Sequence, residues 1–273
     1  MIYTTHLFEN LTIKDENGNI IPGTAESWIS SNNNTIYIFN IRSNAKWTDG
    51  VPVRANDFVY AWKRIVEPKS GSSYSIYLDV IKNAHDIILG NMDKDKLSVK
   101  ALDDNTLYVE LEYPAPYFPE LITHTSYTPL REDIVSKNED VWTLSAETMI
   151  GNGAFKLVKW EHDLRITMQK NTNYWNYESV KPDIINFELI DDVNTAMAGI
   201  LNEDIYFYKT TPSNDRERLI KEGIAKVVPN ISLYFYEVDH RKKPFNYAHI
   251  VTKKESCRSN PGMGGIYVRS NFG

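Results

Sequence analysis

Between Phe39 and Arg64 the chain reads FNIRSNAKWTDGVPVRANDFVYAWKR, and the order of residue types leaves few ways to fold it. Thr35 to Ile41 has the alternation of a half-buried strand, which breaks at Arg42. Asp49-Gly50 then supplies a tight turn, because glycine tolerates positive φ and aspartate can bond its own backbone. Pro52 fixes the direction of exit. From Asp57 onward, Phe58, Tyr60, Ala61, Trp62 and Ile65 recur on one broad helical face. The reading is therefore strand, turn and amphipathic helix.

The same residues carry a resemblance. Arg42, Lys46-Trp47-Thr48-Asp49-Gly50, Pro52-Val53 and Asp57-Phe58-Val59-Tyr60-Ala61-Trp62-Lys63-Arg64 stand in the order and spacing of a signature of extracellular solute-binding proteins, family 5. These are peptide- and oligopeptide-binding proteins of ABC transporters. One departure is Arg54, where the family has Thr or Ser. Arginine cannot accept a backbone N–H as a helix cap, so a modest loss of stability is expected there, with no change of fold.

The resemblance runs from near the start to about Asn246. Leu7-Phe8-Glu9-Asn10-Leu11, Pro22-Gly23, Ala25-Glu26-Ser27-Trp28, Ile150 to Leu157 and the string Asn171 to Trp175 all follow the family order. In physical terms, Asn17-Gly18 is a hairpin turn between Leu11–Lys14 and Asn19–Ile21. The spacing predicts a helix from Ser73 to Leu89, stopped at Gly90. A β pair is expected over 98–101 and 106–111, and a short helix after Pro116. Gly151 and Gly153 allow positive φ and close backbone approach ahead of a strand. Residues 184–190 read as a buried strand, 194–201 as a helix, 204–208 as a strand, 212–223 as a helix and 233–238 as a strand. Tyr247 to Gly273 departs from the family and has no helical period. This tail is expected to be disordered or out of frame, the product of a reading-frame slip or broken gene. A nucleotide sequence in which neither shifted frame beyond Asn246 encodes a second lobe would refute that origin.

The resemblance implies an α/β (mixed α+β) fold of the periplasmic-binding-protein-like type II class, here the first lobe with its inserted small domain only. Residues 1–8 and 150–246 would form an incomplete large domain of that lobe, and residues 9–149 the small inserted domain. It implies oligopeptide capture for ABC-transporter-mediated import, with an extended peptide held between two lobes by β-augmentation. Function would be impaired by the missing second lobe. Tyr74 is the candidate ligand-binding residue, and Asn152, Gly153, Tyr236 and Phe245 are candidates for the hinge or cleft wall. Expected partners are short peptides and permease subunits, and intact relatives are expected to be monomers. The family is extracytoplasmic, whether periplasmic or a cell-surface lipoprotein. The segment from Met1 to His6 has neither a basic stretch nor an apolar one, so the chain as written is expected to remain cytoplasmic.

Composition excludes other classes. Of 273 residues, 42% are hydrophobic and 24% charged, as in a soluble globular protein. The net charge of −6 gives no basic footprint for nucleic acid. No window approaches the roughly 20 apolar residues of a membrane helix. Cys257 is the single cysteine and cannot form an internal disulfide. Six Trp, 17 Tyr and 10 Phe suit an aromatic cleft as well as a core. The six histidines are scattered, and no H-E-x-x-H or G-x-S-x-G is present. Asp103-Asp104 and Asp191-Asp192 read as turn and cap residues. No catalytic residue, metal or cofactor is expected. The competing readings are a non-functional truncated product and, further off, a glycan-processing enzyme with an aromatic cleft.

Overall fold

In the computed structural model, which describes residues 3–138, 141–227 and Lys243, the opening segment forms the elements its pattern demands. The chain divides into two units, Met1–Leu189 and Ile190–Gly273.

The first unit begins with helix α1 (Thr4–Leu7) and the hairpin β1 (Thr12–Lys14) and β2 (Ile20–Pro22). Gly18 closes that hairpin at φ +83°, and the Asp15 carboxylate accepts from the backbone N–H groups of Asn17 and Asn19 at 2.9 and 2.8 Å. Next come β3 (Ala25–Ser31) and β4 (Ile36–Ile41), helix α2 (Ala55–Val66) and helix α3 (Ala84–Ile88). Strands β5 (Val99–Ala101) and β6 (Thr106–Glu110) complete a four-stranded antiparallel sheet of order β3-β4-β6-β5. The turn from β3 to β4 is made by Asn32, Asn33 and Asn34, all with positive φ. Asparagine tolerates that region better than other non-glycine residues.

Along β4 the buried positions are Tyr37, Phe39 and Ile41, while Ile36 and Ile38 occupy the half-buried opposite face. The aromatic residues win the core side because α2 lies over this sheet and presents Phe58 and Trp62, both fully buried. Trp62 donates its indole N–H to the Tyr127 carbonyl at 2.9 Å and meets the Tyr127 ring edge-on at 5.2 Å. Phe118, at the start of helix α4 (Phe118–Leu121), closes against Tyr37 at 5.1 Å.

Arg54 does not cap α2 through its side chain, as expected, yet the helix start is not left open. The Ala55 N–H reaches the Asp104 carbonyl at 2.8 Å, and the Asp57 carboxylate accepts from the Arg54 N–H at 2.8 Å. Those two bonds occupy donors at the helix entrance, where a threonine or serine cap would otherwise help.

The expected helix over 73–89 is broken into a 3₁₀ turn, Ser75–Leu78, and the short α3. Asn83 between them sits at φ +71°, a left-handed conformation that no continuous helix passes through. After helix α5 (Glu132–Asn138), strands β7 (Phe155–Glu161), β8 (Arg165–Lys170) and β9 (Ile184–Glu188) form a three-stranded antiparallel sheet. The expected buried strand at 184–190 is shorter and not buried: Ile184 and Glu188 are exposed, and only Ile185 and Phe187 turn toward the core.

In the second unit, helix α6 (Val193–Leu201) is capped by Asp192, whose carboxylate accepts from the Thr195 N–H at 2.7 Å. Residues 204–208 are not a strand in this structure, and Tyr206 is 96% exposed. A run rich in β-formers needs a partner ladder before it becomes a strand, and propensity alone does not supply one. Helix α7 (Arg216–Lys221) is shorter than the expected 212–223, and Gly223 ends the turn beyond it at φ +75°. The expected strand at 233–238, Tyr236, Phe245 and the tail from Tyr247 lie outside the described residues. No helix among the described residues is long and apolar enough to cross a membrane.

Candidate functional site

The three sequence strings that most resemble family signatures meet at one place in the first unit. The turn at Thr48 donates its N–H to the Gly151 carbonyl at 2.8 Å, and the Thr48 carbonyl accepts from the Asn173 amide at 3.1 Å. Asn171 donates its side-chain amide to the Gly153 carbonyl at 2.9 Å, and the Gly153 N–H reaches the Leu7 carbonyl at 2.9 Å. Asn152 is buried between them. Its Oδ1 accepts from the Glu9 N–H at 3.0 Å, while its amide donates to the Glu9 carbonyl at 2.9 Å and to the Thr24 hydroxyl at 3.1 Å. A side-chain amide thus mimics a strand neighbour for the backbone of residue 9.

The glycines beside it serve close approach, since neither has positive φ. A Cβ on Gly151 would lie 2.0 Å from the Leu7 carbonyl oxygen, and one on Gly153 would lie 2.6 Å from the His6 carbonyl oxygen. Both obstacles are backbone and cannot rotate away. Gly151→Ala is therefore expected to destabilise by about 1–3 kcal/mol or more, as overpacking does. A urea midpoint lowered at unchanged slope would establish this; an unmoved midpoint would show that the crossover can open freely.

Beneath Asn152 lies a buried carboxylate. Glu9 accepts from the Tyr174 hydroxyl in a short contact, from the Trp175 indole N–H at 2.7 Å and from the Thr24 hydroxyl at 3.1 Å. The Arg42 guanidinium stacks on the Trp175 ring at 3.8 Å and donates to the Gly23 carbonyl at 2.7 Å. Burial pushes the Glu9 carboxyl up from its ordinary 4.5, and the bonds from Tyr174, Trp175 and Thr24, then the Arg42 charge, offset only part of that.

Tyr74 belongs to a different feature, an exposed aromatic shelf. Tyr77 stacks on the His124 ring at 4.3 Å with planes 11° apart, and Tyr74 lies 6.1 Å from Tyr77 and 5.9 Å from His124. Tyr74, Ile76, Tyr77, Tyr113 and Tyr117 are all exposed. The Tyr127 hydroxyl donates to the Tyr77 carbonyl and ties the shelf to the core. Burial lowers the pKa of His124, which favours the neutral ring in that stack. Among the described residues no group of His, Cys, Asp and Glu could hold a metal ion.

A sequence profile described as bacterial extracellular solute-binding proteins, family 5 Middle, matches residues 19–250. The chain belongs to that family. Among curated relatives, this family 5 protein is 38% identical over 254 residues to the periplasmic oligopeptide-binding protein OppA of Salmonella typhimurium, covering 90% of this chain and 46% of the relative. It is 36% identical over 245 residues to the dipeptide-binding protein DppE of Bacillus subtilis, covering 90% and 45%. Among solved structures, Haemophilus influenzae OppA in complex with RPPGFSPFR superposes with a TM-score of 0.84 at 34% identity, covering 90% of this chain and 48% of that one. The chain spans somewhat less than half the length of the relatives it matches. The mixed α/β type II fold expected from the resemblance is the one found.

Of the residues singled out in this family 5 protein from sequence, Asn152 and Gly153 come together at the crossover and Tyr74 stands apart on the shelf. Tyr236 and Phe245 lie outside the described residues. Glu9, Tyr77 and His124 were not singled out. For Glu9 the available signal was an acidic residue enclosed by Leu7, Phe8 and Leu11 with no helical phase to take it to solvent.

Proposed function

We propose that this chain forms part of a peptide-binding protein of an ABC importer and that the shelf around Tyr74 is part of the cleft wall. The observation that carries this reading is the match, over 90% of the chain, to an OppA structure holding a nine-residue peptide. In this reading residues 9–149 are the small domain of the first lobe, and residues 1–8 and 150–246 belong to its large domain. Asn152 and Gly153 hold the crossover between them, and Tyr236 and Phe245 are assigned to the hinge or cleft wall on the family resemblance alone. The site of action is extracytoplasmic, and permease subunits are the partners.

Aromatic rings suit such a wall. They bury large area with few rotors to freeze, and a stacked ring accepts varied side chains. The test is a thermal-shift screen of the 273-residue protein with mixed short peptides. Stabilisation follows RT ln(1 + [L]/Kd), or about 2.7 kcal/mol at a hundredfold excess over Kd. Tyr74→Ala is expected to weaken the response about tenfold with little change in the ligand-free melting point. The match to less than half of each relative supports a second reading, in which these residues alone do not retain a peptide. A flat response from a cooperatively folded protein would favour that second reading over the first.

A further inference from the structure

The chain holds two Asn-Gly pairs, Asn17-Gly18 and Asn152-Gly153. Glycine after asparagine leaves the backbone nitrogen free to attack the side-chain amide carbon, because no Cβ shields it. Both pairs lie in the first unit, in opposite settings, so the fold decides which of them can react.

Asn17 and Gly18 are exposed at the tip of the β1–β2 hairpin. The backbone N–H of Asn17 donates to the Asp15 carboxylate, while its side-chain amide has no hydrogen-bond partner among the described residues. Gly18 sits at φ +83°, and a Cβ there would meet nothing within 4 Å. The attacking nitrogen is restrained by the bond from the Gly18 N–H to the Asp15 carbonyl at 3.0 Å. That bond closes a turn at the end of two three-residue strands, a unit that opens readily.

At Asn152 each requirement fails. The residue is 2% exposed, and three bonds to Glu9 and Thr24 hold its amide. The Gly153 N–H is committed to the Leu7 carbonyl, and the backbone of His6, Leu7 and Phe8 stands within 2.7 Å of where a Cβ would be. Turning the amide carbon toward the Gly153 nitrogen would break all three side-chain bonds at a place shielded from water.

We propose that Asn17 is a site of spontaneous deamidation, and that the fold directs this reaction to Asn17 and away from Asn152. The Gly18 nitrogen bonds to Asn17 Cγ, the Cγ–Nδ2 bond breaks, and ammonia leaves carrying the proton that Gly18 gives up. Water then opens the resulting succinimide at either carbonyl and yields aspartate or isoaspartate. Either product sets a new carboxylate beside Asp15. Isoaspartate also lengthens the backbone by one methylene, which works against the pairing of Lys14 with Ile20.

The test ages the whole 273-residue protein in mildly alkaline buffer, with a parallel sample in concentrated urea, and follows every asparagine by peptide mass mapping. In the native sample Asn17 is expected to convert at least about a hundredfold faster than Asn152, which reacts only in the small fraction of molecules that open. In urea the two pairs should convert at similar rates. Isoaspartyl methyltransferase should label the aged native protein. Asn17→Gln should remove that label, since glutamine would have to close a larger ring. Similar native rates at both pairs, conversion led by another asparagine, or an Asn17 that stays intact while the urea sample converts would overturn the proposal. If Asn17→Gln does not fold, the wild-type comparison of native and urea samples decides the matter. No ligand enters the experiment, so its outcome is independent of the peptide reading.

Discussion

Replacing Glu9 by alanine is expected to lower the unfolding free energy by roughly 3–5 kcal/mol, the scale of breaking a buried charged network on one side. The Tyr174 hydroxyl, the Trp175 indole N–H and the Thr24 hydroxyl would lose their common acceptor in a place water reaches poorly. Denaturant unfolding followed by tryptophan fluorescence measures this, since Trp175 is itself a reporter. A loss under about 1 kcal/mol would mean that the three donors find other partners.

Glu9→Gln separates charge from shape. Because burial raises the folded-state pKa of Glu9 above its ordinary 4.5, the folded protein holds that proton more tightly than the unfolded chain. The Glu9 contribution is then full below the unfolded pKa and is lost as pH rises through the folded one. The stability difference between wild type and Glu9→Gln should therefore move against wild type as pH rises from about 4.5. A difference that is flat with pH, or that moves the other way, would place the carboxylate's pKa at or below its ordinary value.

Trp62→Ala should have an effect of the same size, about 3–5 kcal/mol, for a different reason. Trp62 is fully buried, packs edge-on against Phe58 and Tyr127, and satisfies the Tyr127 carbonyl. Truncation removes packing and leaves a cavity under α2. With domain stabilities of about 5–15 kcal/mol, that is a large fraction of the whole. Trp62→Phe should fall between, since it restores volume and not the hydrogen bond. Equal losses for Phe and Ala would assign the effect to the indole N–H instead of to packing.

The strand, turn and helix of the opening segment are legible in the sequence because each is specified locally, by alternation, by Asp49-Gly50 and by helical spacing. The Asn17-Gly18 hairpin is legible for the same reason. The broken helix at 73–89 was not, because Asn83 can sit in a helix or end one, and only tertiary packing decides. Glu9 was opaque for a further reason. Its partners stand 15, 165 and 166 positions away, and no spacing rule reaches across such gaps. Likewise, Gly151 and Gly153 could be read as tight spots, while the chain they press against could not.

The distances that hide Glu9 from sequence also govern when its contacts can form. Glu9 leaves the ribosome 166 residues ahead of Trp175, which at about 5–20 residues per second is roughly ten to thirty seconds of synthesis. The four-stranded sheet and α2 can assemble well within that interval, because all their residues lie between Ala25 and Glu110. The Glu9 backbone must wait for Asn152, and its carboxylate lacks two of its three donors until the Asn171–Trp175 string arrives. Nascent chains halted before Asn152 has emerged should thus leave Leu7 to Glu9 open to protease, chains halted between it and the Asn171–Trp175 string should protect them in part, and chains halted well after that string should protect them fully.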